Sequence, residues 1–211
     1  MSIINSLIIA ESDDFVEQEI LYDGMFSSSS IVTQSDTQIK FVKKKIADLN
    51  PLITSEQLIS FCTKLTKLQY HFYLPFSYIS LDNQPALYTT YIPNQSLQYV
   101  INQQMKDVFN EIDSTQEYLI LYGISVYLEE LHNSQKVHGR IKLTNILLDH
   151  NFSPLISDSF LYEITNRHLN SEVPNKTLDY IISLSPEALK DQPLTIYSDI
   201  YSFAIVILQV L

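Results

Sequence analysis

The stretch VHGRIKLTNILLDHN, residues 137–151, sets His138, Arg140, Lys142 and Asn145 close together, and Asp158 follows 13 residues after Asn145. An Asn side-chain carbonyl and a carboxylate are hard oxygen donors of the kind Mg2+ takes. Arg140 is a permanent cation that donates hydrogen bonds and accepts none. It could clamp a phosphate, but it cannot take a proton from an attacking hydroxyl. Lys142 adds a second positive charge two residues later. His138 reads as a residue that packs and hydrogen-bonds within its own loop. These residue types could meet a cation or an anion, with no proton acceptor at Arg140.

These side chains need rigid elements to hold them. Asn145 precedes the apolar run Ile146–Leu148, and Asp158 follows Pro154–Ile156, which reads as a short strand. Upstream, residues 115–135 form a long apolar helical pattern, and a last apolar helix begins from Ser198. The N-terminal half reads differently. Residues 15–46 alternate as strands around a Ser-rich turn at Ser27–Ser30. Leu58, Phe61, Leu65 and Leu68 then recur at helical spacing behind Thr54 or Ser55 as N-cap. Residues 72–92 offer two strands around an Asp-Asn turn. The expected architecture is α+β and bilobal. Residues 1–14 form an N-terminal extension, 15–91 a small five-stranded lobe with one helix, and 92–211 a mainly helical large lobe.

With 13 basic and 24 acidic residues the net charge is -11, which disfavours nucleic acid or an anionic membrane as partner. Hydrophobic content of 45% fits a globular chain. The single cysteine, Cys62, excludes an internal disulfide framework and fits a reducing, cytoplasmic setting. The first residues lack the basic region of a signal peptide, and the final apolar run is too short to span a bilayer. Only three glycines occur, Gly24, Gly123 and Gly139, where average usage of about 7% would give roughly 15. They are scattered, so no G-x-G-x-x-G loop exists to close backbone amides on phosphate.

The order of elements and the strings LEELHNSQKVHGRIKLTNILLDHNFSPLISD, SPEAL and SDIYSFAIVILQVL resemble the eukaryotic protein-kinase fold over roughly residues 15–211. The nearest resemblance is to its tyrosine-kinase-like serine/threonine branch. It implies phosphoryl transfer with ATP and Mg2+, built from a catalytic loop, a D-F-G turn, a Gly-rich loop and a strand lysine. Asn145 and Asp158 match the two metal ligands, and Lys142 matches the lysine that contacts the transferred phosphate. Gly24 matches the middle glycine of the phosphate loop, with Tyr22 and Ser27 in place of the outer two. The strand lysine is Lys43 or Lys44. With Lys43, Phe41 would fill the adenine pocket; with Lys44, Val42 would leave it room.

The chain departs from the pattern at several points. Arg140 stands at the position of the catalytic Asp, and a salt bridge to an acid such as Asp199 is its expected use. Gly139 replaces the arginine that reads a phosphorylated activation segment. The D-F-G turn is Asp158-Ser159-Phe160, so the expected freedom at positive φ is lost and Phe160 packs one residue late. No acid stands near Phe61 or Cys62 to pair the strand lysine; Glu56 lies more than a turn too early. The family's later helices do not follow Leu211, which leaves Glu187 without its usual arginine. The resemblance therefore implies a degenerate, C-terminally short pseudokinase, a binding or scaffold module with a protein partner, ATP and Mg2+ being weakly held if bound. A weak serine/threonine kinase is the alternative. The oligomeric state is left open.

Overall fold

The computed structural model describes residues 7–23, 27–46, 49–82, 84–105, 112–165, 181–190 and 192–211. The described chain divides into two compact units. One runs to Gln69 and adds Leu74–Tyr91 with Ile164 and Thr165; the other takes Tyr70–Tyr73, Ile92–Glu163 and the described residues from 181 onward. Gly24 and residues 166–180 lie outside the described residues.

The first unit is a six-stranded sheet in the order β1-β5-β6-β4-β3-β2. The five expected strands are β2 (Phe15–Asp23), β3 (Ser27–Gln34), β4 (Lys40–Ile46), β5 (Phe76–Ser80) and β6 (Ala86–Thr90). A sixth, β1 (Ile8–Ile9), comes from the segment expected to be an extension and pairs parallel to β5. Residues paired directly across strands share a face of the sheet. One face therefore carries Ser30, Lys43, Tyr88 and Tyr78 in one row and Val32 with Phe41 in the next. It is closed by Phe15, whose ring lies 4.6 Å from that of Tyr88 and 5.7 Å from that of Phe41. The other face carries Ser29, Lys44, Leu87 and Ile79, beside Ile31 and Val42.

Helix α1 (Ser55–Thr66) starts at Thr54, whose hydroxyl accepts from Gln57 N while the Gln57 side chain accepts from Thr54 N. This reciprocal cap satisfies two amides that the first turn cannot. Leu58, Cys62 and Leu65 are buried on the inner stripe, and α1 packs on β5. Leu68 lies past the helix end. The aromatic cluster occupies the opposite face, so α1 covers the Leu87–Ile79 face. Burying each such side chain stabilises the fold by about 1.5–3 kcal/mol.

The second unit contains α2 (Leu97–Gln104), α3 (Ser114–Asn133), the hairpin β7 (Ile146–Leu148) and β8 (Pro154–Ile156), all but the last residue of α4 (Leu161–Ile164), and α5 (Ile196–Val210). Asp113 caps α3 and Thr195 caps α5, which begins two residues before the expected Ser198. Ile120, Ile124, Tyr127, Leu128 and Leu131 form the buried stripe of α3, and the helix packs on β8 and α5. Gly123 lets the helix and hairpin approach closely. A Cβ there would sit 2.5 Å from Pro154 Cγ.

Candidate functional site

The loop from His138 to Asn145 is fixed by one carboxylate. Asp199, in the first turn of α5 and 1% exposed, accepts hydrogen bonds from His138 N and Gly139 N, each at 2.8 Å. His132 Nε2, at the end of α3, lies 3.0 Å from the same group. Two amides and an imidazole thus meet on the Asp199 carboxylate. Gly139 holds φ at +77°, and a Cβ would lie 2.5 Å from Tyr162 Cδ1, so glycine is required on both counts.

The imidazole of His138 is fully buried and points inward. Arg140 N donates to Nδ1 at 3.0 Å, which leaves Nε2 to carry the proton and donate to Ser157 O at 3.1 Å. Burial holds the ring below its ordinary pKa; Asp199 and Asp158 pull it up, and Arg140 pushes it down. A neutral, internally bonded ring matches the expected packing role.

Arg140 is half-buried, and its carbonyl accepts Asn145 Nδ2 at 2.8 Å. Asn145 O accepts both Ser157 N and Ser157 Oγ. The asparagine thus braces the loop with its amide nitrogen and offers Oδ1, the hard donor atom, as its remaining acceptor. Lys142, in extended backbone and half-buried, accepts Asn145 N through its carbonyl and opens the 3-10 turn Leu143–Asn145.

Asp158 follows β8, is 7% exposed and takes φ +63°, a region that Asp tolerates better than most residues. Asn145 Oδ1 and the Asp158 carboxylate are hard oxygen donors of the kind Mg2+ takes. Ser159 is sealed from solvent, its hydroxyl 2.7 Å from that of Tyr127. Phe160 takes φ +67° with 1% exposure. The chain therefore does adopt the left-handed backbone without glycine, contrary to expectation. Such strain costs about 1–3 kcal/mol, and the buried ring offsets it.

In the first unit, Lys43 lies on the aromatic face, its Nζ 5.7 Å from the Tyr88 centroid. Phe41 is buried in that cluster. Lys44, one residue on, shares the opposite face with Val42, Leu87 and the α1 side. Of Phe61 and Cys62, the α1 positions near which an acid is expected, Cys62 is fully buried, its thiol pushed up to about 12 by desolvation. Glu187 does find a partner, Ser198 Oγ at 2.6 Å, which holds its carboxyl below the usual range.

Sequence reasoning missed Tyr127, His132 and Ser198. His132 in the last turn of α3 was the one visible signal, since a basic side chain there complements the helix end.

Residues 20–211 match the family model described as protein tyrosine and serine/threonine kinase. Cysteine-rich receptor-like protein kinase 10 of Arabidopsis thaliana is 26% identical over 207 residues, covering 95% of this chain and 30% of that protein. Cysteine-rich receptor-like protein kinase 6 of Oryza sativa subsp. japonica is 28% identical over 99% of this chain and 31% of that protein. A putative serine/threonine-protein kinase of Helianthus annuus is 36% identical over 121 residues, 54% of this chain and 48% of its own. The chain thus spans a third to a half of the length of these relatives. Among the described residues no helix is long and apolar enough to cross a membrane.

Proposed function

This chain belongs to the protein tyrosine and serine/threonine kinase family, and on that premise we propose that it is a pseudokinase, a kinase-like binding or scaffold module that does not transfer phosphate. The observation that carries the reading is Arg140, a guanidinium at the position of the family's proton-accepting Asp, whose backbone N donates to His138 Nδ1 and whose carbonyl accepts Asn145 Nδ2. Loss of a general base costs about 10²–10⁴ in rate. The lack of an acid at Phe61 or Cys62 on α1 and the filled Ser159-Phe160 turn support the same reading. On the family pattern, Asn145 and Asp158 are the residues that would hold Mg2+, weakly, and a strand lysine is the one that would meet a nucleotide phosphate. The side of the sheet that Lys44 shares with Val42 favours it over Lys43 for that role. The net charge of -11 favours a protein partner over nucleic acid or an anionic membrane, and the single Cys62 fits the cytoplasm.

A second reading, a weak serine/threonine kinase, is favoured by the surviving metal donors and Lys142, because loose phosphoryl-transfer transition states ask little of a base. A radiolabel assay with Mg-ATP and generic protein substrates separates the two. The expected outcome is no transfer above a no-enzyme control. Robust transfer that Asp158→Ala abolishes refutes the pseudokinase and establishes the kinase.

A further inference from the structure

We propose that Tyr127 and Lys136 are positioning residues that lock the Asp158 turn in one conformation before any ligand arrives. The inference holds whether or not phosphate is transferred. Two of three consecutive residues, Asp158 and Phe160, sit in left-handed backbone at φ +63° and +67°. A bulky residue such as Phe stays there only where its surroundings over-determine it. The surroundings come from α3 and the loop after it. Ser159, sealed from solvent, shares a 2.7 Å hydrogen bond with the Tyr127 hydroxyl. The Tyr127 ring is itself wedged edge-on against Tyr70 and His138, at centroid distances of 6.3 and 6.0 Å. The Lys136 ammonium lies 5.5 Å from the Phe160 centroid and 6.0 Å from that of Tyr70, bridging the two rings. Lys136 is tied to the end of α3 by its own amide, which donates to Leu131 O. His138 holds Ser157 O from the other side.

Residues 157, 159 and 160 thus each have a separate tether, and Asp158 is carried between them. A hydroxyl pair buried this completely is all-or-none: removing one partner orphans the other. The lock therefore rests on Tyr127 Oη rather than on the bulk of its ring.

Hydrogen exchange on the full chain, read by mass spectrometry over peptides spanning 155–163, tests this. In the parent protein these amides are expected to exchange slowly without nucleotide. Tyr127→Phe, which keeps the ring, should speed them at least tenfold. Ser159→Ala, which removes the same hydrogen bond from the other side, should give a comparable acceleration. Should Tyr127→Phe fail to fold, Lys136→Met asks the same question from the Phe160 side, with the same acceleration expected. Fast exchange in the parent overturns the proposal. So does a Tyr127→Phe variant with lowered Tm but unchanged exchange at 155–163, which would make Tyr127 a core residue and nothing more.

Discussion

His138 is the residue whose charge state the fold controls most directly. Burial lowers its pKa below the ordinary 6.5, against the upward pull of Asp199 and Asp158. As pH falls, the unfolded chain takes up a proton on this side chain before the folded one does. The stability due to the neutral ring is therefore complete above about pH 6.5 and is lost as pH falls through the folded value. Urea unfolding at pH 7.5, 6.5 and 5.5 should show a loss that steepens below 6.5, by up to about 1.4 kcal/mol per pH unit. A flat profile over that range would show the imidazole charging freely in the fold. The residue scale also shows what sequence conveys. Asn145 and Asp158 stand out in the sequence because they fall in a short local pattern. The Tyr127–Ser159 and His132–Asp199 contacts join residues 32 and 67 apart, and no local pattern encodes such pairs.

At the scale of elements, α3 against β8 sets how accurately the loop is held. Alanine at position 123 would favour the helix by up to about 1 kcal/mol. Its Cβ would also press within 2.5 Å of Pro154 Cγ, 3.2 Å of Cδ and 3.4 Å of Phe72 Cε1. A proline ring cannot rotate aside, and overpacking costs about 1–3 kcal/mol, so the clash wins. Gly123→Ala should lower the urea midpoint, and adding Pro154→Ala should recover most of the loss; an unchanged midpoint would mean that the hairpin yields. Most elements were legible because their periodicities and caps are strong: Thr54 with Gln57 and Asp113 with Gln116 each close a reciprocal cap. The two-residue β1 was not, since a short apolar run carries no period of its own. The left-handed Phe160 was not either, because tertiary packing overrode local backbone preference.

For the whole molecule, the decisive quantity is how much free energy a nucleotide adds. A site with Kd near 10 µM would, at 1 mM Mg-ATP, stabilise the fold by about 2.7 kcal/mol. For a domain of this size that raises Tm by roughly 5–10 °C. The weakly held nucleotide proposed above should give a smaller shift, measured by differential scanning fluorimetry with and without Mg2+. A full shift that vanishes in Asp158→Ala would bring the second reading forward. The two-unit architecture and family were legible because several motifs recur in the right order. The fate of each catalytic part was less so, because it depends on which face of a strand or loop a side chain takes. Lys43 and Lys44 are neighbours in sequence and lie on opposite sides of the sheet.

Cys62 combines complete burial on the inner stripe of α1 with a thiol raised to about 12, so at neutral pH hardly any reactive thiolate meets solvent. As the one sulfhydryl in 211 residues, it makes the native protein its own clock. Alkylation by a maleimide should proceed only as fast as the helix lifts from the sheet, and a single mass increment would count each opening.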